Sequence, residues 1–221
     1  MPFNSPYTWS VVIPVKVLTQ AKSRLGQLGA QRRAELALAM AADTVIAVRA
    51  CEQVSHMIVV TDDQVAADVL VALGVTVIAD EPNDGLAGDR LNGALLHGAA
   101  HARVVSPGAG IAALFADLPA VRPEEITRAL SAAAAWPTAF VADAAGDGTT
   151  LYTARPGSAF RPSFGPASRA RHAAGGAVEL DLPGIPGLRQ DVDTPEDLTA
   201  ATVIGLGRNT ADLLRCEPLG K

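Results

Sequence analysis

The sequence predicts an α/β fold, a mostly parallel β-sheet with helices on both faces. Short apolar runs of strand length recur from the N-terminus onward, and stretches with apolar residues at helical spacing fill the gaps between them. With 49% of its 221 residues apolar, the chain can bury a real core. Regular alternation of strand and helix is the pattern of a parallel sheet covered on both sides.

The runs "WSVVIPV", "HMIVVT", "GVTVIAD", "GIAALFAD" and "PTAFVAD" read as strands. Between them Leu38, Ala41, Ala42 and Val45 fall at i, i+3, i+4 and i+7, and similar spacing recurs in residues 64–73, 91–102 and 123–134. After Asp143 the pattern loosens into a segment rich in Gly, Pro, Ser and Arg, where two or three strands and a short helix are expected. A helix then opens at "TPEDLTAATVIGLG", and a last one is expected near residues 209–215. In the former, Thr194 suits the N-cap, Pro195 the first helical position, and Asp197 the returning acid of a capping box. No repeat or domain-splitting linker is visible, so residues 1–221 are read as a single domain.

The formal charge of −5 and the lack of a basic stripe interleaved with aromatics argue against nucleic-acid binding. "MPFNSPYTWS" has no charged leader followed by an apolar stretch, and no apolar run approaches membrane-spanning length, so a cytoplasmic location without membrane contact is expected. Cys51 and Cys216 are the only cysteines, which suggests neither a zinc site nor a disulfide framework. Dimerisation through apolar surface is left open.

Capping accounts for Glu196 and Asp197 but leaves Asp191 and Asp193 unexplained. In open α/β sheets ligands bind beyond the carboxyl ends of the strands, and Asp117 ends "GIAALFAD" at such a place. A single Asp there could simply cap a turn. Asp191 and Asp193, two apart in extended backbone, point to one face and could reach one cation. Acids without basic partners repel in a cleft, each close pair by about 1 kcal/mol or more, and a divalent metal removes that repulsion. An oxygen-only ligand set without Cys or His suits Mg²⁺, which commonly bridges to substrate phosphates. The competing expectation is that Arg189 or another arginine neutralises these acids.

"VVIPVKVLTQAKSRLG" places Lys16, Lys22 and Arg24 in the loop after the first strand, where a nucleotide's phosphates would lie. Neither G-x-x-x-x-G-K-[ST] nor G-x-G-x-x-G is present, and cations on a loop are often only solvated. No covalent machinery is evident: the cysteines lack a promising neighbourhood, G-x-S-x-G is absent, and the four histidines are scattered. His172 is expected in a surface or anion-binding patch rather than as a catalytic base. A nucleophile already ionised, such as a phosphate monoester with a second pKa near ~6, needs no base.

"IPVKVLTQAKSRL", "DRLNGAL", "ADLPA", "FVAD" with "GTTLY", "FGPASRARH" and "QDVDTPEDL" together resemble the phosphoenolpyruvate or 2-phospho-L-lactate guanylyltransferases of deazaflavin-coenzyme biosynthesis. That family is related to molybdenum-cofactor and sugar nucleotidyltransferases, and the resemblance covers nearly the whole chain. It implies a Rossmann-like nucleotidyltransferase sheet on which the acceptor's phosphate attacks the α-phosphorus of GTP and releases pyrophosphate. It further implies Mg²⁺ on Asp117, Asp191 and Asp193, catalysis by these acids with Lys16, and the triphosphate facing Lys16, Lys22 and Arg24. Thr149, Gly165 and Ser168 would hold the acceptor, Ser168 beginning a short helix, while Asn92 with Gly85 and Gly88 could meet the guanine. The chain departs from the wider superfamily in lacking its G-x-G-T-R-type loop. An Ala-rich, Arg-over-Lys composition suggests a high-GC genome, which fits an actinobacterial member of that family, and the resemblance then implies phosphoenolpyruvate over 2-phospholactate. The alternatives are a nucleotidyltransferase acting on a molybdopterin or sugar phosphate, disfavoured by an aromatic content of only 4%, and a noncatalytic GTP-binding protein on the same scaffold.

Overall fold

The computed structural model describes residues 6–20, 22, 24–26, 28–80 and 89–216. Its centre is a seven-stranded sheet in the order β3-β2-β1-β4-β6-β5-β7. The predicted runs supply β1 (Trp9–Pro14), β2 (Val54–Val60), β3 (Thr76–Ile78), β4 (Gly110–Leu114) and β5 (Thr138–Ala142). The loosely patterned segment adds β6 (Thr149–Ala154) and β7 (Val178–Glu179). Pairing is parallel from β3 through β4 and between β5 and β7, whereas β6 runs antiparallel to both β4 and β5.

Four helices fall where the periodicity put them, α1 (Ala30–Arg49), α2 (Gln64–Ala72), α3 (Arg90–Val105) and α4 (Pro123–Ala133); α5 (Ser168–Ala174), α7 (Pro195–Ile204) and α8 (Arg208–Cys216) form as expected, and the structure adds a short α6 (Pro186–Arg189) that the sequence reading missed. Alternation along the strands divides the core. Val11, Ile13, Val59, Leu114 and Val141 meet α1, α2 and α4 on one face. Val12, Ile58, Val60, Ala113 and Phe140 meet α3 on the other. Burying each such side chain contributes roughly 1.5–3 kcal/mol. On α3, Gly98 passes so close to β1 that a Cβ there would strike Val12. A smaller cluster of Leu25, Leu36, Met40, Val192 and Leu198 seats α7 against α1 and the loop after β1.

Asp63 caps α2 by accepting from Ala66 N–H at 3.0 Å, and its other oxygen accepts from Leu18 N–H at 2.8 Å, tying down the loop after β1. The capping box of α7 is formed as expected: Thr194 Oγ1 accepts from Asp197 N–H at 3.2 Å and Asp197 Oδ2 accepts from Thr194 N–H at 2.8 Å. That same Oδ2 also accepts from Asp193 N–H at 3.1 Å, so the cap fixes the backbone of a candidate site residue. Among the described residues no helix is long and apolar enough to cross a membrane.

Candidate active site

The strand order reverses at β1, from which β2 lies on one side and β4 on the other, and the crevice at this switch is where open α/β sheets place their ligands. A cavity of about 560 Å³ opens there. Its wall takes Lys16, Lys22 and Arg24 from the loop after β1, Asp117 from beyond β4, Asp143 from beyond β5, and Asp191 and Asp193 from the segment between α6 and α7. Because β6 runs backwards, its first residue rather than its last reaches this edge, which brings Thr149 into the wall with Gly165 and Ser168. Residues separated by some 180 positions thus meet, as the sequence predicts for Asp117, Asp191 and Asp193.

Two backbone ties hold the acids together. Val192, fully buried between the two aspartates, donates its N–H to the Asp117 carbonyl at 3.1 Å. Thr44, buried on α1, places Oγ1 3.1 Å from the Ala116 carbonyl and accepts from Leu118 N–H at 3.2 Å, gripping the chain on both sides of Asp117. The segment before Asp191 is fixed by Gly187, whose N–H donates to buried Glu125 at 3.1 Å and whose α-carbon lies so near the Ala120 carbonyl that no side chain fits.

The expectation that these acids lack basic partners is corrected. The Lys22 ammonium bridges Asp117 and Asp193, the latter at 3.0 Å, and Arg24 stands 3.7 Å from Asp193. Lys22, expected to face the triphosphate, instead turns into the cleft from a left-handed backbone with φ of 56°, a conformation that costs a non-glycine residue about 1–2 kcal/mol. Burial pushes its pKa down, but the two carboxylates outweigh burial and hold it raised. Burial acts upward on Asp193, and Lys22 with Arg24 and Lys16 outweighs it, so its pKa is lowered. Arg189, the other candidate counter-ion, pairs with Asp181 at 3.6 Å.

Asp191 is treated differently. Burial, then repulsion from Asp117, Asp193 and Asp143, pushes its pKa up to about 7. One lysine therefore does not neutralise this end of the cleft, and Asp117 Oδ1 is buried without a hydrogen-bond partner. Among the described residues no three His, Cys, Asp or Glu side chains are already in ligating arrangement. The donor set nevertheless fits a hard dication: it is all oxygen, carries surplus negative charge and includes that unpartnered oxygen. Asp117, Asp191 and Asp193 are the residues that would hold it.

The β6 end of the cleft combines neutral side chains with two carboxylates, Asp143 and Asp147. Asp143, which the sequence reading missed as a site residue, accepts from the N–H groups of Gly146 at 2.7 Å, Asp147 at 3.0 Å and Gly148 at 2.9 Å, closing the β5–β6 turn; a Cβ at Gly148 would collide with its carboxylate. Ser168 begins α5 as expected, but the N–H groups there are already engaged. Ala167 and Arg169 donate to Asp147 and Ser168 donates to the Gly165 carbonyl, leaving Gly165, φ 116°, and the Ser168 side chain at the wall. Asn92 does not present its amide to a base. It donates to Asp89 at 2.6 Å and to the Phe164 carbonyl at 3.1 Å and accepts from Phe164 N–H at 2.9 Å, so it holds the loop that leads to Gly165. Gly85 and Gly88 lie outside the described residues.

A sheet of this order, with acids and cations at its switch point, defines an α/β fold of the nucleotidyltransferase type. Solved structures agree: a putative nucleotide-diphospho-sugar transferase from Desulfovibrio desulfuricans superimposes with a TM-score of 0.67 at 16% identity over 95% of this chain and 94% of that one. A nucleotidyl transferase from Methanothermobacter thermautotroptrophicus gives 0.56 at 21% identity over 95% and 99%. The family model described as "Guanylyl transferase CofC like" matches residues 9–217. A phosphoenolpyruvate guanylyltransferase of Thermomonospora curvata is 56% identical over 95% of this chain and 90% of its own length, and one of Streptomyces scabiei is 55% identical over 92% and 94%. The chain belongs to the CofC-like guanylyl transferase family.

Proposed function

We propose that the protein transfers GMP from GTP to the phosphate of phosphoenolpyruvate, with release of pyrophosphate, as a Mg²⁺-dependent guanylyltransferase of deazaflavin-coenzyme biosynthesis. The observation that carries this reading is the polarity of one cleft. The cations gather with Asp117, Asp191 and Asp193 at its β1 end, and at its β6 end the wall carries the hydroxyls of Thr149 and Ser168 and, among the described residues, no lysine or arginine, in a chain whose relatives bear that enzyme name.

The chemistry needs little from the protein beyond placement and charge. A phosphate oxygen of the acceptor forms a bond to the α-phosphorus of GTP while the bond from that phosphorus to the β-phosphate's bridging oxygen breaks. The acceptor's phosphate is already ionised near neutral pH, so no side chain has to remove a proton. Lys16 and Arg24 line the cleft to receive the triphosphate, and Lys22 holds Asp117 and Asp193 together. Held by Asp117, Asp191 and Asp193, Mg²⁺ would supply neutralisation of charge on the phosphates and the departing pyrophosphate. Thr149, Gly165 and Ser168 orient the acceptor.

Purified protein with GTP, Mg²⁺ and phosphoenolpyruvate should release pyrophosphate and yield a GMP-linked product, and EDTA should stop it. Release only with 2-phospholactate would move the acceptor assignment. No release with either acid would overturn the activity.

A further inference from the structure

His172 is the buried titratable group that the reaction above leaves without a task. It sits on α5 at 2% exposure, stacked on Tyr152 with ring centroids 4.5 Å apart, edge-on to Phe164 at 5.1 Å and beside Phe140 at 5.7 Å. Burial, with the Arg171 guanidinium nearby, holds the imidazole's pKa down at about 4.

Both ring nitrogens are engaged, and the partners decide which carries the proton. Ser163 N–H lies 2.9 Å from Nε2. A backbone amide can only donate, so Nε2 is the bare nitrogen and the neutral ring carries its hydrogen on Nδ1. Nδ1 stands 3.0 Å from Thr149 Oγ1, which must therefore accept. A hydroxyl that accepts from an imidazole still has its own hydrogen to give. Local geometry places that hydroxyl: the β5–β6 register shifts between Val141 and Ala142, and the extra β6 residue puts Thr149 on the sheet face of Ala142 and Phe140, beside His172 and at the cleft wall.

We infer that His172 is a positioning residue whose fixed tautomer makes the Thr149 hydroxyl a donor to the ligand, so that this end of the cleft selects an acceptor bearing a carboxylate over one bearing a carboxamide there. This rests on the acceptor reading proposed above and adds to it the reason a small acid is chosen. A carboxylate accepts this hydrogen bond with either oxygen, whereas a carboxamide can also present an NH₂ group and so meet one donor with another.

The test combines one reading on the free protein with one on turnover. Long-range ¹⁵N spectra of the unliganded protein should show His172 protonated on Nδ1 and bare on Nε2. In steady-state kinetics, His172→Phe keeps an aromatic ring in the cage but removes the donor, and should raise KM for phosphoenolpyruvate about tenfold while kcat and KM for GTP stay within about twofold. His172→Asn, whose amide nitrogen stands near the Nδ1 position, should recover most of that loss. Thr149→Val should match His172→Phe, and the double variant should be little worse than either. The carboxamide analogue of phosphoenolpyruvate should be disfavoured by the parent and less so by His172→Phe. An Nε2-protonated ring, an unchanged acceptor KM, or fully additive Thr149 and His172 effects would each overturn the inference. If the parent itself turns over neither acid, the guanylyltransferase reading has failed instead, and the spectrum still decides the tautomer.

Discussion

The two ends of the cleft hold their polar groups in opposite ways. At the β6 end Thr149, Ser168, His172 and Asn92 are nearly sealed from water, and the bonds between Thr149 and His172 and between Asn92 and Phe164 join neutral groups. At the β1 end the groups are ionic and partly open: the Asp193 side chain is 47% exposed, Arg24 is 74% exposed, and Lys22 reaches its two carboxylates from a left-handed backbone. The difference teaches which end is finished before ligands arrive. Neutral, buried hydrogen bonds preorganise the acceptor end. Charge at the other end must be redistributed on binding, because one ammonium cannot serve two carboxylates and a triphosphate together.

The sharpest way to break this contrast is at Asp191. Asp191→Asn should lower turnover on the order of a thousandfold, yet raise the melting temperature in EDTA, since a buried acid crowded by three others becomes a neutral amide. Assays of both quantities on one preparation check it, and wild-type turnover would remove Asp191 from the ligand set. At the opposite end, Asn92→Ala strands the N–H of Phe164, whose C=O keeps Arg171 as a donor at 2.8 Å, and should lower unfolding free energy by about 2 kcal/mol in urea titrations.

A pH comparison sharpens the contrast further. The folded pKa of His172 is about 4, below its ordinary 6.5, so its contribution to stability is whole above pH 6.5 and is lost as pH falls through 4. Asp191 works in reverse: raised to about 7 from an ordinary 3.8, its contribution is whole at low pH and lost as pH rises through 7. A single pH curve mixes the two, but the stability of the parent minus that of His172→Phe isolates the histidine. That difference should shrink by on the order of 3 kcal/mol between pH 7 and pH 4. The smallest effect is expected outside the cleft wall, where Thr194→Ala should lower stability by ~1 kcal/mol through the lost cap, read as a shift in melting temperature.

What the sequence made legible was local. The five apolar runs, the periodic helices and the Thr194–Asp197 cap each follow from neighbours within a few positions, and each formed. The meeting of Asp117 with Asp191 and Asp193 was legible for a different reason: strand ends in a parallel sheet share one edge. The pairing of Lys22 was not, because it depends on a left-handed turn that no residue type announces. The reversal of β6 was hidden as well, since a strand's direction leaves no mark in its own residues. Asp143 could have been found: an Asp followed by Gly three and five positions later, as in "DAAGDG", is the pattern of a carboxylate gathering the amides of a turn. Thr44 gave no such hint, as a buried Thr on a helix is ordinary until its hydroxyl is seen beside Asp117.

The backward course of β6 carries one more consequence. It lets a single hairpin, the turn at 143–148, deliver its tip to the same edge as the forward strands, so the acceptor's surroundings come from a stretch of chain separate from the first four strands. Under the proposed reading, a change to that turn or to the loop after it alters what meets the acceptor and leaves the wall built from the loop after β1 as it is.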